Sequence, residues 1–220
     1  MPYKFTATTD YISSEQKIKT LISFAVKEEK KGNDDNRVLF LKLGVVLLVT
    51  RFQVYVERVL DEFNYELKNT NKLNSQLPLH LRLYSIKLHS ERKAIQSELK
   101  DPTTFNPTKL QSVKSMVSLL SEFCDDAIAI HPELKIDTKF PLGKQGLNEL
   151  KGLFKQIEGK DIFETAKFDI NKLNEILNRR HNIIHEDAND QLTEIKVKEY
   201  KVFIAVVVKY IDKYLAKILK

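Results

Sequence analysis

The stretch RVLFLKLGVVLLVTRFQVYVERVLDEFNYEL, residues 37–67, decides the fold class of this chain because its apolar residues recur at helical spacing. Seven of them share one face of the predicted helix, while Val46 and Val54 extend the apolar surface onto another face. A long helix that is apolar on more than one face is expected to run through the middle of a domain. The seven residues are Leu41, Val45, Leu48, Phe52, Tyr55, Val59 and Phe63.

The same periodicity predicts the other helices, whose ends are marked by glycine, proline and capping residues. A motif-bearing helix starts near Ile170 behind an Asp169 cap, and Gly159 closes the helix before it. Only six glycines and six prolines are present, and the length suits one core. We therefore expect an all-α, single helical-bundle domain over residues 1–220, with long core helices and a long C-terminal helix. The remaining predicted helices span residues 10–31, 79–99, 108–129, 148–157 and 195–220.

Cysteine content and hydropathy bear on the cellular compartment. Cys124 is the only cysteine, and the polar N-terminus carries no apolar signal segment, so a reducing cytoplasm is the expected location. The apolar runs at residues 38–49 and 203–208 are shorter than the roughly 20 residues of a membrane span, and both predict core helices without a membrane partner. A net charge of +6 is compatible with a polyanionic partner but does not establish one.

The stretch NRRHNIIHED, residues 178–187, concentrates the candidate functional side chains. At about 100° per residue, Arg180 falls inside the apolar arc of its helix rather than opposite it. A buried guanidinium needs an acid partner, a wet cleft or a subunit interface, and Glu57 is the predicted partner because it is an acid on a largely apolar helix. The arc consists of Ile170, Leu173, Ile176, Leu177, Ile183 and Ile184.

Two other interpretations of this stretch need consideration. His181 and His185 are four residues apart, a spacing that can hold one metal ion, with Glu186 or Asp187 as an oxygen ligand. Asn182 occupies the position where a zinc-protease helix carries its glutamate, so the general base is missing and no metal is expected. Alternatively, the arginines and histidines of the last turn simply interact favourably with the helix C-terminus.

Arg180, four further residues and His185 reproduce the R-x4-H pattern of the HEPN superfamily, and RHNIIHE resembles the common RN-x-I-x-H form. No other arginine stands five residues before any of the five histidines. The stretches VVLLVTRFQVYVERVLDEF and FPLGKQGLNELKGLF, with the motif helix and the terminal helix, resemble the RiboL-PSP branch over most of the chain. His181 departs from the pattern, since asparagine is most usual at its position.

The resemblance implies a metal-independent endoribonuclease without a cofactor, dimeric and active in bacterial conflict systems such as toxin-antitoxin or phage-defence modules. RNA is then the substrate, and an antitoxin is an open further partner. His185 serves as general acid or base and Arg180 stabilises the phosphorane. His181 or Asn182 orients the phosphate, and Arg179, outside the apolar arc, attracts RNA electrostatically.

RNA cleavage by its own 2′-hydroxyl needs a base, an acid and a cation beside the phosphorane. A single His185 supplies only one acid or base, so two motifs facing each other across a homodimer would complete the set. Two alternatives remain open. One is a catalytically inactive HEPN-like binding or scaffold module that pairs with an antitoxin or another partner, and the other is a helical protein unrelated to the family.

Overall fold

The computed structural model describes residues 3–92, 107–143, 145–186 and 192–220. Within these ranges the chain is all-helical, as predicted, with a short 3₁₀ turn at Asn74–Gln76 and an isolated antiparallel bridge between Leu73 and Ala129. The helices are α1 (Thr6–Ser14), α2 (Gln16–Lys30), α3 (Asp34–Lys68), α4 (Leu79–Arg92), α5 (Pro107–Cys124), α6 (Gly146–Glu158), α7 (Ile170–Glu186) and α8 (Glu194–Ile218).

The long helix α3 confirms the prediction made from residues 37–67. All seven residues of its predicted apolar face are buried, and Val49, Val56 and Leu60 broaden the buried surface. Val54 was expected to be buried as well, but that prediction is wrong because the side chain is 43% exposed. Val54 lines a cavity between α1 and α3.

The N-terminal segment forms two helices, so the prediction of one helix over residues 10–31 is wrong. The hydroxyl of Ser13 donates to the carbonyl of Asp10 at 2.9 Å, and the hydroxyl of Ser14 donates to the carbonyl of Tyr11 at 2.7 Å. Such bonds occupy backbone carbonyls that a continuous helix would use, which favours the break at Glu15.

The start of α1 lies earlier than predicted because carboxylates from other helices accept from backbone N–H groups in and just before its first turn. The N-cap residue Phe5 has no side-chain acceptor, but Glu62 of α3 accepts from the backbone N–H of Ala7 at 2.9 Å. Asp212 of α8, itself buried, accepts from the N–H of Lys4 at 3.1 Å. Negative charge at a helix N-terminus is stabilising, so these contacts fix α1 against α3 and α8.

The chain divides into two compact units. The first comprises Met1–Phe63, Thr138–Leu153 and Asp161–Lys220, and the second comprises Asn64–Asp137 and Phe154–Lys160. In the first unit α8 packs against α1, α2 and α7. A hydrogen bond of 2.9 Å from the Tyr55 hydroxyl to the Val208 carbonyl joins α3 to α8. The single domain over residues 1–220 stays a prediction.

The second unit is held by side chains that bond to loop backbone. Asn74 is fully buried, and its Nδ2 donates to the carbonyls of Glu122 and Asp125 at 2.9 and 3.0 Å. The helix predicted over residues 108–129 ends earlier, at Cys124, because Asp125 Oδ1 accepts from the N–H of Ala127 at 2.8 Å and forms a turn.

Two further helix ends in this unit can be compared with the predictions. Gly159 adopts a left-handed φ of 75° and closes α6, which confirms its predicted role. The helix predicted over residues 79–99 corresponds to α4, but residues 93–99 lie outside the described residues.

The helix α3 is long and apolar enough, by length and composition, to cross a membrane, with a mean hydropathy of 1.7 in its most apolar window. The buried core helices of soluble proteins share this property. Among the described residues no other helix has it.

Candidate functional site

The motif-bearing helix α7 begins at Ile170, as predicted, because Asp169 Oδ1 accepts from the backbone N–H of Asn171 at 2.9 Å. Its first half is anchored by Leu173, Ile176 and Leu177, all of which are buried. The cap and the apolar residues fix the rotation of the helix. They therefore decide where the side chains of the last two turns point.

A cluster around Glu175 attaches α7 to α8. The Glu175 cluster comprises Glu175, Arg179, Lys196 and Tyr200. Glu175 Oε1 accepts from the hydroxyl of Tyr200 and lies 3.3 Å from Lys196 Nζ. Glu175 Oε1 also lies 3.7 Å from Nη2 of Arg179, whose side chain is only 13% exposed. The Tyr200 hydrogen bond, followed by the charges of Lys196 and Arg179, lowers the pKa of Glu175 despite some burial.

Arg180 occupies the apolar arc in which the sequence placed it. Its side chain is half-buried, next to the buried Ile176 and Leu177, whereas Ile184 further along the arc is 44% exposed. Its Nε atom is buried without a hydrogen-bond partner, and no ion pair involves Arg180 among the described residues. The apolar arc is therefore buried in the middle of α7 and exposed toward the C-terminal end of the helix, and Arg180 lies between these two parts.

The two histidines of the motif lie together at the C-terminal end of α7. Their ring centroids are 4.5 Å apart with an interplanar angle of 43°. His181 and Asn182 are half-buried, while His185 and Glu186 are exposed. An exposed imidazole can come within hydrogen-bond reach of a bound substrate, as a general acid or base must.

Metal binding at this end of the helix was considered from the sequence. In the part of the chain that the structure describes, no group of three or more His, Cys, Asp or Glu side chains is arranged to hold a metal ion. Asp187, one candidate oxygen ligand, lies outside the described residues.

Glu57 is engaged with a different residue from the one predicted. Within the described ranges of this single chain no contact joins it to Arg180; instead, its Oε1 accepts from the backbone N–H of Phe140 at 3.1 Å. One turn earlier on α3, Gln53 Nε2 donates to the carbonyl of Phe140 at 2.7 Å. Glu57 and Gln53 thus hold both backbone groups of one buried residue, and a pairing of Glu57 with Arg180 between subunits stays a prediction.

The Glu175 cluster and the bonds to Phe140 were not predicted from the sequence. The spacing of Glu175 and Arg179, four residues apart, was a readable signal for an ion pair on one helix face. No sequence signal connects Tyr200 to Glu175 or Gln53 to Phe140, because those residues meet only after the helices pack. The structure therefore adds supporting residues around the motif rather than a new motif.

Comparison with known protein families finds one family model that matches nearly the whole chain. The family model described as RiboL-PSP-HEPN matches residues 9–217, which include α3, the loop before α6, and all of α7. No curated protein and no solved structure matches the chain. The match spans far more than the short R-x4-H pattern, and it confirms the resemblance drawn from the sequence. The chain therefore belongs to the RiboL-PSP-HEPN family.

Proposed function

We propose that this protein is a metal-independent endoribonuclease of a bacterial conflict system, acting in the cytoplasm as a toxin or in phage defence. The observation that carries the proposal is the position of Arg180 and His185. A guanidinium without an acid partner among the described residues stands on the same open helix end as an exposed imidazole. A phosphate would supply the missing negative partner, and Arg180 would bind it.

The proposed reaction uses the nucleophile that RNA itself carries. His185, as general base, takes the proton of the 2′-hydroxyl, whose oxygen attacks the phosphorus while the bond to the 5′-oxygen breaks. A general acid protonates the leaving 5′-oxygen, so the products end in a 2′,3′-cyclic phosphate and a 5′-hydroxyl. Arg180 stabilises the charge of the phosphorane, and His181 or Asn182 orients the phosphate.

A homodimer supplies the second acid or base. One His185 cannot act as base and acid in the same step, but a second motif across a twofold axis provides the other group. The exposure of Ile184, directly before His185, supports an interface near this end of α7 because a second copy would cover it. Arg179 belongs to the Glu175 cluster, in which two cations face one carboxylate, so the cluster retains positive charge beside the proposed RNA path.

Activity assays with single substitutions test the proposal. His185→Ala and Arg180→Ala should each lower the rate of RNA cleavage at least about a hundredfold, the lower end expected for acid-base catalysis, with thermal stability nearly unchanged. Lys213→Ala is the matched control, because Lys213 is exposed on α8 and its loss changes the net charge by the same amount as Arg180→Ala. Cleavage should survive EDTA and yield 2′,3′-cyclic phosphate ends by mass spectrometry. Full cleavage by His185→Ala that EDTA abolishes would contradict this assignment.

The second candidate function is a catalytically inactive HEPN-like module that binds an antitoxin or another partner. It is favoured by His181, which stands where asparagine is most usual in the motif. One measurement distinguishes the two candidate functions. If the purified protein leaves RNA intact at micromolar concentration and His181→Asn restores cleavage, the natural chain is the inactive module.

A further inference from the structure

A cavity of about 330 Å³ lies between α1 and α3, and none of its lining residues comes from the motif helix α7. Its volume is at the lower end of the range of about 300–1,000 Å³ that is usual for small-molecule sites. Its wall carries two tyrosines, two arginines and apolar side chains, so it combines the polar and apolar surfaces that such sites use.

Two buried polar atoms of the lining residues have no partner among the described residues. The Tyr11 side chain is only 4% exposed, and its hydroxyl makes no hydrogen bond. The Nε atom of Arg51 is likewise buried without a partner. Leaving a buried polar group unsatisfied costs free energy, so a ligand that accepts from these groups would gain by binding.

The protonation state of Tyr11 suits a donor. Burial, and then the nearby charge of Glu15, raise the pKa of Tyr11 above its ordinary value. The phenol therefore stays neutral and keeps its proton at physiological pH. Glu15 is itself engaged, since its Oε2 lies 2.9 Å from Lys201 Nζ.

The charges at the cavity favour an anion. Arg51 and Arg58 line it together with one acid, Asp10. Asp10 lies 3.6 Å from Arg58, and both of these side chains are more than half exposed, so their attraction is weak. Arg51 forms no ion pair within the described ranges, which leaves one guanidinium for a ligand.

The rest of the lining is apolar. Ala7, Leu47, Val54 and the ring of Tyr55 contribute to the wall, and Val54 is one of the exposed apolar residues of α3. The Tyr55 ring lies 5.7 Å from the ring of Tyr11. A ligand body that covers Val54 and contacts these rings would bury apolar surface, which favours a flat apolar group over a sugar or a bare ion.

We propose that this cavity binds a small organic anion in which a phosphate or carboxylate group is joined to a flat apolar body. The anionic group accepts from Arg51 and Tyr11, and the apolar body lies against Val54 and Tyr55. A nucleoside monophosphate and an aromatic carboxylate both have this chemistry. The site is independent of the proposed RNA cleavage.

Isothermal titration calorimetry on the intact 220-residue chain at low salt tests the proposal with matched pairs of ligands. The pairs are adenosine monophosphate with adenosine, and benzoate with benzyl alcohol, and inorganic phosphate is titrated alone. We expect one anion of a pair to bind with a Kd of about 1 mM or tighter, and its neutral counterpart to bind at least about tenfold more weakly. The pair that binds distinguishes a phosphate ligand from a carboxylate ligand.

Substitutions locate the binding. Arg51→Met, which keeps an unbranched apolar side chain, should weaken binding of the anion at least about tenfold. Tyr11→Phe should weaken it by about threefold to tenfold. Lys19→Met on the exposed face of α2 removes the same charge and should leave affinity unchanged. Tyr11→Phe removes a single oxygen and keeps the test decisive if Arg51→Met does not fold. The proposal would be overturned if neither anion binds, or if the neutral partner or inorganic phosphate alone binds as tightly as the organic anion. It would also be overturned if Tyr11→Phe and Arg51→Met leave the affinity for the anion unchanged.

Discussion

Arg179 and Arg180 are neighbours in the chain, yet their guanidinium groups meet different surroundings. Arg179 lies beside Tyr200 of α8, and Glu175, one turn earlier on α7, lies 3.7 Å from its guanidinium and balances its charge. Arg180 lies in the apolar arc of α7, and no acid pairs with it among the described residues. One step of about 100° on a helix separates these two environments. A charge that the fold neutralises stabilises the fold, whereas a charge that the fold leaves unbalanced is the better candidate for binding a phosphate.

Glu57 leads to a prediction at the same scale. Glu57→Ala should lower the free energy of unfolding by about 1–3 kcal/mol, because the backbone N–H of Phe140 would lose its acceptor. Urea denaturation measures the change. Glu57→Gln is the matched variant: it retains an acceptor oxygen and should lose less stability than Glu57→Ala.

The same pair of variants separates the two roles considered for Glu57. Glu57→Gln keeps the bond to Phe140 but removes the charge that an ion pair with Arg180 would need. If it folds stably and cleaves RNA at the full rate, a catalytic pairing of Glu57 with Arg180 between subunits is wrong. If Glu57→Ala is as stable as the unmodified protein, the bond to Phe140 contributes nothing measurable.

At the scale of elements, the two ends of α7 have different surroundings. The first half is fixed by the Asp169 cap, three buried apolar residues and the Glu175 cluster. The last two turns carry half-buried or exposed side chains, including both histidines. The catalytic role that we propose for α7 needs this division, because the anchored half would set the geometry and the open half would reach the substrate.

The Glu175 cluster predicts a pH dependence of stability. The pKa of the Glu175 carboxyl is lower in the folded chain than its ordinary value of 4.5, chiefly because Tyr200 donates a hydrogen bond to it. The carboxylate therefore stabilises the fold above its ordinary pKa, and this stabilisation is lost as the pH falls through the lowered pKa. Because Glu175 is partly exposed, the effect should not exceed about 1 kcal/mol.

Urea denaturation at pH 6 and at pH 3 measures this contribution. The unmodified protein should lose more stability between the two pH values than Glu175→Gln, in which the group does not titrate. Glu199→Gln is the control, since Glu199 pairs with Lys172 across the same two helices at 3.6 Å and is more exposed. Equal losses in all three proteins would show that Glu175 does not stabilise the fold as a charged group.

At the scale of the whole molecule, the candidate site contains one histidine in the position of a general acid or base. A closed pair of copies is the commonest oligomer and would bring a second motif to the first. We therefore expect a homodimer by light scattering at micromolar concentration, and we expect the cleavage rate per chain to fall when dilution dissociates it.

Substitution of the exposed apolar residue of the motif helix tests where the copies meet. Ile184→Glu should weaken the dimer and lower cleavage together, because it places a charge where we expect the second copy. Ile195→Glu changes a residue of α8 that is also exposed and serves as the control. A monomer that cleaves RNA at the full rate would contradict the composite site.

Periodicity and end signals alone determined the fold class, the long helix α3, the start of α7 at Ile170 and the place of Arg180 in an apolar arc. These features depend on residues close together in the chain, whose spacing fixes both the helix and its buried face. Errors followed where one local signal was outweighed by another. The hydroxyls of Ser13 and Ser14 ended α1, and Asp125 ended α5, although the apolar pattern continued past each of these points.

Only the tertiary structure decided what each helix face meets. Residues that are distant in the chain form hydrogen bonds in the folded protein. Asp212 and Glu62 accept from backbone groups near the start of α1, Tyr200 donates to Glu175, and the backbone N–H of Phe140 donates to Glu57. Val54 has the same spacing as its buried neighbours, yet it lies beside a cavity. A sequence pattern specifies that a face is apolar or that a side chain is charged. Which partner covers that face or balances that charge depends on how separate helices pack, and local spacing contains no information about this.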